Sequence, residues 1–167
     1  MAVREILLLG NPLLLQSCDE VHRDELESLG PAIQDLHDTL FDFRLRYNAG
    51  RAIAAPQIGV MKRLVYMHIS EPRVFFNPVL DQLSSETFEL WDDCMSFPDL
   101  FVRVRRHRSC RVTYRDRNWT ERQEDINDDL SELLQHEIDH LNGILAVSRA
   151  IDGASFALRG QLQKRLQ

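Results

Sequence analysis

His136-Glu137-Ile138-Asp139-His140 puts two imidazoles four residues apart in a stretch where Leu133, Leu134 and Leu141 recur at helical spacing. On a helix, positions i and i+4 lie one turn apart on the same face, so both rings can reach one cation. Glu137, at the next position, can then meet a water on that cation. The apolar neighbours require this helix to be covered, so the rest of the chain must supply surfaces to enclose it. Its ends are marked. Asn127 suits the N-cap, Asp128 and Asp129 suit the positive end of the dipole, and Asn142-Gly143 is a stop. Asp129 and Glu132 read as exposed charges on the first turns. The five-residue pattern alone also fits two ordinary surface histidines.

A catalytic cation needs three protein ligands and one open position. Asp139 points away from the histidine face. Cys94 in Trp91-Asp92-Asp93-Cys94-Met95-Ser96 is the better third ligand, because a loop after a strand ending at Leu90-Trp91 can carry a thiolate over the helix. Cys18 and Cys110 read as buried core residues. Three cysteines with no paired spacing argue against a disulfide framework and for a reducing compartment.

Upstream, Leu26, Leu29, Ile33, Leu36, Leu40, Phe43 and Tyr47 recur every three or four residues. That predicts a helix over 24–47, with Pro31 in its first turn or between two short helices, and a left-handed cap at Asn48-Ala49-Gly50. Shorter patterns predict strands over 64–69, over 74–80 with an end or bulge at Pro78, over 87–90, over 101–105 and over 109–114. Asp116 to Trp119 suits a hairpin turn before an ill-defined strand. Residues 6–9 suggest an N-terminal strand, and 154–167 a helix docked through Phe156, Leu158, Leu162 and Leu166. The expectation is one compact α+β domain over residues 1–167, with antiparallel sheets packed around the histidine-bearing helix.

A net charge of −6 argues against a direct nucleic-acid site or an anionic membrane surface. Arg103, Arg105, Arg106, Arg108 and Arg111 interleave with valines, which reads as the solvated face of an amphipathic strand. No apolar run reaches the ~20 residues that span a bilayer, and the start does not read as a signal peptide, so a cytoplasmic location is expected.

Three segments resemble, in order and separation, the signature motifs of peptide deformylases. They are Ala54-Ala55-Pro56-Gln57-Ile58-Gly59, Cys94-Met95-Ser96, and Gln135 to Gly143 containing the histidine pair. Leu9-Gly10-Asn11-Pro12-Leu13-Leu14 is similar to that family's N-terminal segment. The resemblance implies removal of the formyl group from N-formylmethionine on nascent proteins, with ribosome-associated chains as partners. It implies that Cys94, His136 and His140 bind one divalent metal, Fe²⁺ by resemblance, with Zn²⁺, Ni²⁺ or Co²⁺ also suited to the ligands. Glu137 would be general base and acid. The Gln57 amide and the Met95 backbone N–H would polarise the formyl oxygen, and Gly50, Ala52, Asp93 and Leu133 would line the substrate track.

Two positions depart from the family pattern. Ala52 stands where a second glycine is usual, and is tolerated only with negative φ. Asp92-Asp93 stands where Glu-Gly is usual, which puts a carboxylate beside the thiolate. Asp93 either points to solvent and leaves activity near normal, or charges the cleft and gives altered range or little activity. A peptidase cleaving internal bonds takes a downstream His or Glu as third ligand, and this chain has neither after His140. A metal-holding binding protein would need neither Glu137 nor Gln57.

Overall fold

The computed structural model describes residues 2–165. Eight strands form two antiparallel sheets around two main helices. The strands are β1 (Ala52–Ala54), β2 (Leu64–His68), β3 (Pro72–Asp81), β4 (Thr87–Asp93), β5 (Leu100–His107), β6 (Ser109–Arg115), β7 (Glu121–Asn127) and β8 (Phe156–Leu158). The helices are α1 (Gly30–Tyr47), α2 (Asp128–Leu141) and a short α3 (Arg159–Arg165). The larger sheet runs β1-β2-β3-β6-β7 and the smaller β4-β5-β8. No helix among the described residues is long and apolar enough to cross a membrane.

Strand periodicity explains how α2 becomes central. Along β1, β2 and β3 the alternate residues Ala52, Ala54, Val65, Met67 and Phe75 join Leu133, Leu134, Ile138 and Leu141 of α2 in one core. The intervening Ile53, Leu64, Tyr66, Val74 and Phe76 pack against Ile33, Leu36, Leu40 and Phe43 of α1. A sheet covered on both faces needs apolar side chains at both phases, which is what these strands carry. The far side of α2 meets the smaller sheet, and every residue from Ser131 to Leu141 is buried. Fully burying one leucine or phenylalanine contributes about 1.5–3 kcal/mol, and Leu134 and Leu141 are both completely covered.

Several expectations change here. The helical pattern over 24–47 divides into a 3-10 turn at Arg23–Glu25 and α1, with Pro31 in the first turn of α1 and Asn48 as a left-handed cap at φ 51°. β3 does bulge, its register shifting between Phe76 and Val79. Residues 6–9 form no strand. Leu7 N–H donates to the Gln57 carbonyl and Leu9 N–H to that of Ser96, so the segment ties two loops together instead of pairing with one strand. β7 is a full strand paired with β6. Residues 156–158 are strand rather than helix, leaving Phe156 and Leu158 exposed while Ala157 and Leu162 are buried. Leu166 and Gln167 lie outside the described residues.

Candidate metal centre

Three elements converge on the cleft beside α2. The helix contributes His136, Glu137 and His140, the two rings 5.0 Å apart between centroids. The end of β4 delivers Asp92 and Asp93, and the turn after it delivers Cys94. The 3-10 turn Ala55–Ile58 delivers Gln57, 1% exposed rather than solvated as a loop glutamine would be. The ligand atoms of Cys94, His136 and His140 all lie within 4.8 Å of one another, and Cys94 Sγ is 3.3 Å from His140 Nε2.

Each side chain is held by identifiable partners. The Ala54 N–H donates to Gln57 Oε1 at 2.9 Å, which turns the amide so that Nε2 faces Cys94 Sγ at 3.6 Å and Ser96 Oγ at 3.2 Å. Asp92 Oδ2 lies 2.9 Å from His136 Nδ1, drawing the proton there and leaving Nε2 free to ligate. Arg106 bonds Asp92 at 3.1 Å and Asp139 at 2.6 Å, and Arg149 bonds Asp139 at 2.7 Å. The result is a line of alternating charge running from His136 through Asp92, Arg106 and Asp139 to Arg149. Arg106 is therefore buried, contrary to its reading as part of a solvated face. It shares the inward phase of β5 with Val102 and Val104. Cys18 and Cys110 are buried as expected.

The electrostatics suit a cation. Burial opposes ionisation of Asp92, but the charges and hydrogen bonds of His136 and Arg106 outweigh it and hold its pKa at about 2. Burial also opposes a charge on His136. Asp92 and Cys94 overcome that and push its pKa well above the usual histidine range. The same negative surroundings would favour a metal cation, which takes the place of the second proton on Nε2. Burial, with His136 adding to it, pushes His140 well below that range. Desolvation raises Glu137 to about 7, and its Oε2 has no hydrogen-bond partner. A buried thiol, two imidazoles and surrounding anions form a donor set that fits a borderline-soft divalent metal.

The remaining residues singled out by sequence, Gly50, Ala52, Asp93, Met95 and Leu133, all line the same cleft. Gly50 has φ 107°, and a Cβ there would stand 3.2 Å from Leu40 Cδ1. Ala52 pairs with Met67 in β1, outside the positive-φ residues, and its methyl joins the core. Asp93 is half-exposed, 3.4 Å from Arg159, whose guanidinium stacks over Phe101. Glu132 is not an exposed helix-end charge but buried, paired with Arg51. Asp129 is exposed as expected, and its carbonyl accepts from Arg51 at 3.4 Å.

Residues 3–155 match the family described as polypeptide deformylase. This chain belongs to the polypeptide deformylase family. It is therefore an enzyme of that metal-dependent, formyl-removing class. Among its relatives, the peptide deformylase of Leptospira biflexa is 34% identical, over 89% of this chain and 88% of that protein. The deformylase of Pseudothermotoga lettingae is also 34% identical, over 96% and 90%. The crystal structure of the Thermotoga maritima deformylase superposes with a TM-score of 0.83 at 27% identity, covering 91% of this chain and all of that one. A deformylase from Acinetobacter baumannii, bound to Met-Ala-Ser, gives 0.81 at 26% identity over 89% and 98%.

Proposed function

We propose that this chain removes the formyl group from N-formylmethionyl peptides of nascent proteins, with Cys94, His136 and His140 holding one divalent metal. The observation that carries the proposal is the meeting, in one buried cleft, of that ligand set, the unpartnered Glu137 carboxylate and the oriented Gln57 amide. A metal in this set supplies Lewis acidity and activates water as a nucleophile.

Glu137, with a pKa near neutrality, takes a proton from the attacking water and returns it to the leaving amine. The C–N bond of the formyl amide breaks, giving formate and a free N-terminus. Charge that builds on the formyl oxygen meets donors already in place, Gln57 Nε2 and the Met95 N–H. The Ala54 bond to Gln57 Oε1 keeps that amide from turning its oxygen to the substrate. Gly50, Ala52, Asp93 and Leu133 form the walls along which the peptide lies. Fe²⁺ as the resident metal, a cytoplasmic location and substrates on ribosome-associated chains rest on the family reading. The peptide bound to the Acinetobacter baumannii relative supports a peptide substrate.

The test is formate release from formyl-Met-Ala by Fe²⁺- or Ni²⁺-loaded protein. Turnover well above that of a Glu137→Ala variant is expected. Equal rates would show that the cleft does not act on formyl peptides.

A further inference from the structure

The cleft wall next to the reacting position is ionic where an apolar first side chain would need hydrocarbon. Glu132 and Leu133 sit one turn before His136 and Glu137, ~5.4 Å along the same face of α2. A formyl amide joins its nitrogen directly to the first Cα, so the first side chain starts within that distance of the formyl carbon. On this stretch of wall the Arg51 guanidinium reaches across from the residue before β1 and pairs with Glu132, which is 6% exposed. Arg51 also donates to the Asp129 carbonyl at 3.4 Å, tying its head to the start of α2. Asp93 adds a further carboxylate to the cleft lining.

The space is also small. The enclosed part of the cleft is about 70 Å³, and it opens to solvent beside the partly exposed Arg51 and Asp93. Arg51 is 42% exposed and free to swing outward, but Glu132 is buried, so a methionine side chain seated here either packs against its charge or leaves it without its partner, which is costly. A small side chain leaves the pair intact, and a hydroxyl-bearing one can hydrogen-bond to it.

We propose that Arg51 and Glu132 set specificity for the first side chain, so that formyl peptides beginning with small or polar residues are processed within about 10-fold of formyl-methionyl ones. This rests on the deformylase reading of the site and widens its substrate class. Both residues act on the side chain and touch none of the reacting atoms.

The experiment compares kcat/KM of metal-loaded protein on formyl-Met-Ala, formyl-Ala-Ala and formyl-Ser-Ala. An apolar slot built for methionine gains 10-fold or more per methylene over alanine, roughly 10³ in all. A methionine-to-alanine ratio at or below about 10-fold is expected for the wild type. A larger ratio overturns the proposal while leaving the deformylase reading intact. In the R51I/E132I variant the ratio is expected to rise at least 10-fold, a change that a purely structural role, which lowers both rates together, would not produce. An unchanged ratio in a folded double variant overturns the assignment. If that variant does not fold, the wild-type series alone decides. No turnover of any formyl peptide above the Glu137→Ala control overturns both readings together.

Discussion

Glu137 is buried in the cleft wall, with one carboxylate oxygen lacking a hydrogen-bond partner, and burial raises its pKa to about 7. Replacing it with glutamine keeps size and burial while removing the base. Glu137→Gln is expected to lower kcat by about 10²–10⁴ with metal content unchanged, as measured by elemental analysis beside the rate. Gln57→Ala removes one oxyanion donor and should cost about 10²–10³ in kcat with KM little altered. Asp92 acts through His136, so Asp92→Asn should weaken metal binding about 10–100-fold in a chelator competition. The histidine pair and Cys94, which the structure groups together, stood out by residue type and position, whereas Gln57 stood out only through the motif resemblance. Asp92 and Arg106 were not legible as a buried pair, since a charged residue reads as solvated until its partner is known. The available signal was phase. Arg106 follows Val102 and Val104 at period two, whereas Arg103 and Arg105 fall on the other face.

At the level of elements, the end of α2 depends on Gly143. Its φ is 70°, and a Cβ would lie 2.6 Å from the backbone oxygen of Leu15. Gly143→Ala therefore meets both backbone strain and a rigid neighbour, and is expected to destabilise the protein by roughly 2 kcal/mol or more, read from urea unfolding. The stop at Asn142-Gly143 was visible in sequence because turn chemistry is local. β7 was not, because Glu121 to Asp125 are five polar residues with no alternation and only Ile126 of that strand is buried. What holds β7 is cross-strand, including the pairs Arg111–Asp125 and Arg115–Glu121. Charges of this kind also suit an edge strand that must not pair with another chain. The N-terminal segment departs from its sequence pattern for a related reason. Its apolar run suggested a strand, but its backbone donors serve two separate loops.

For the whole molecule, the two sheets and α1 exist around α2, and the charges within that enclosure make stability depend on pH. Asp92 has a folded pKa of about 2 against an ordinary carboxyl value of 3.8. For a carboxyl whose pKa is depressed on folding, the contribution is present above the unfolded value and is lost as pH falls toward the folded one. In metal-free protein the stability advantage of wild type over Asp92→Asn should therefore shrink between pH 5 and pH 2.5, by on the order of 2 kcal/mol, measured from urea midpoints. The α+β class and the enclosure of the histidine helix were legible from apolar periodicity, whereas the assignment of each strand phase to α1 or α2 required the tertiary structure. All of the proposed chemistry depends on Cys94, His136 and His140 sharing one metal. X-ray absorption of Zn²⁺-loaded protein tests this most directly. One sulfur at about 2.3 Å and two nitrogens at about 2.0–2.1 Å are expected, with the sulfur lost in Cys94→Ser. A wild-type spectrum with no sulfur in the coordination sphere would contradict the account.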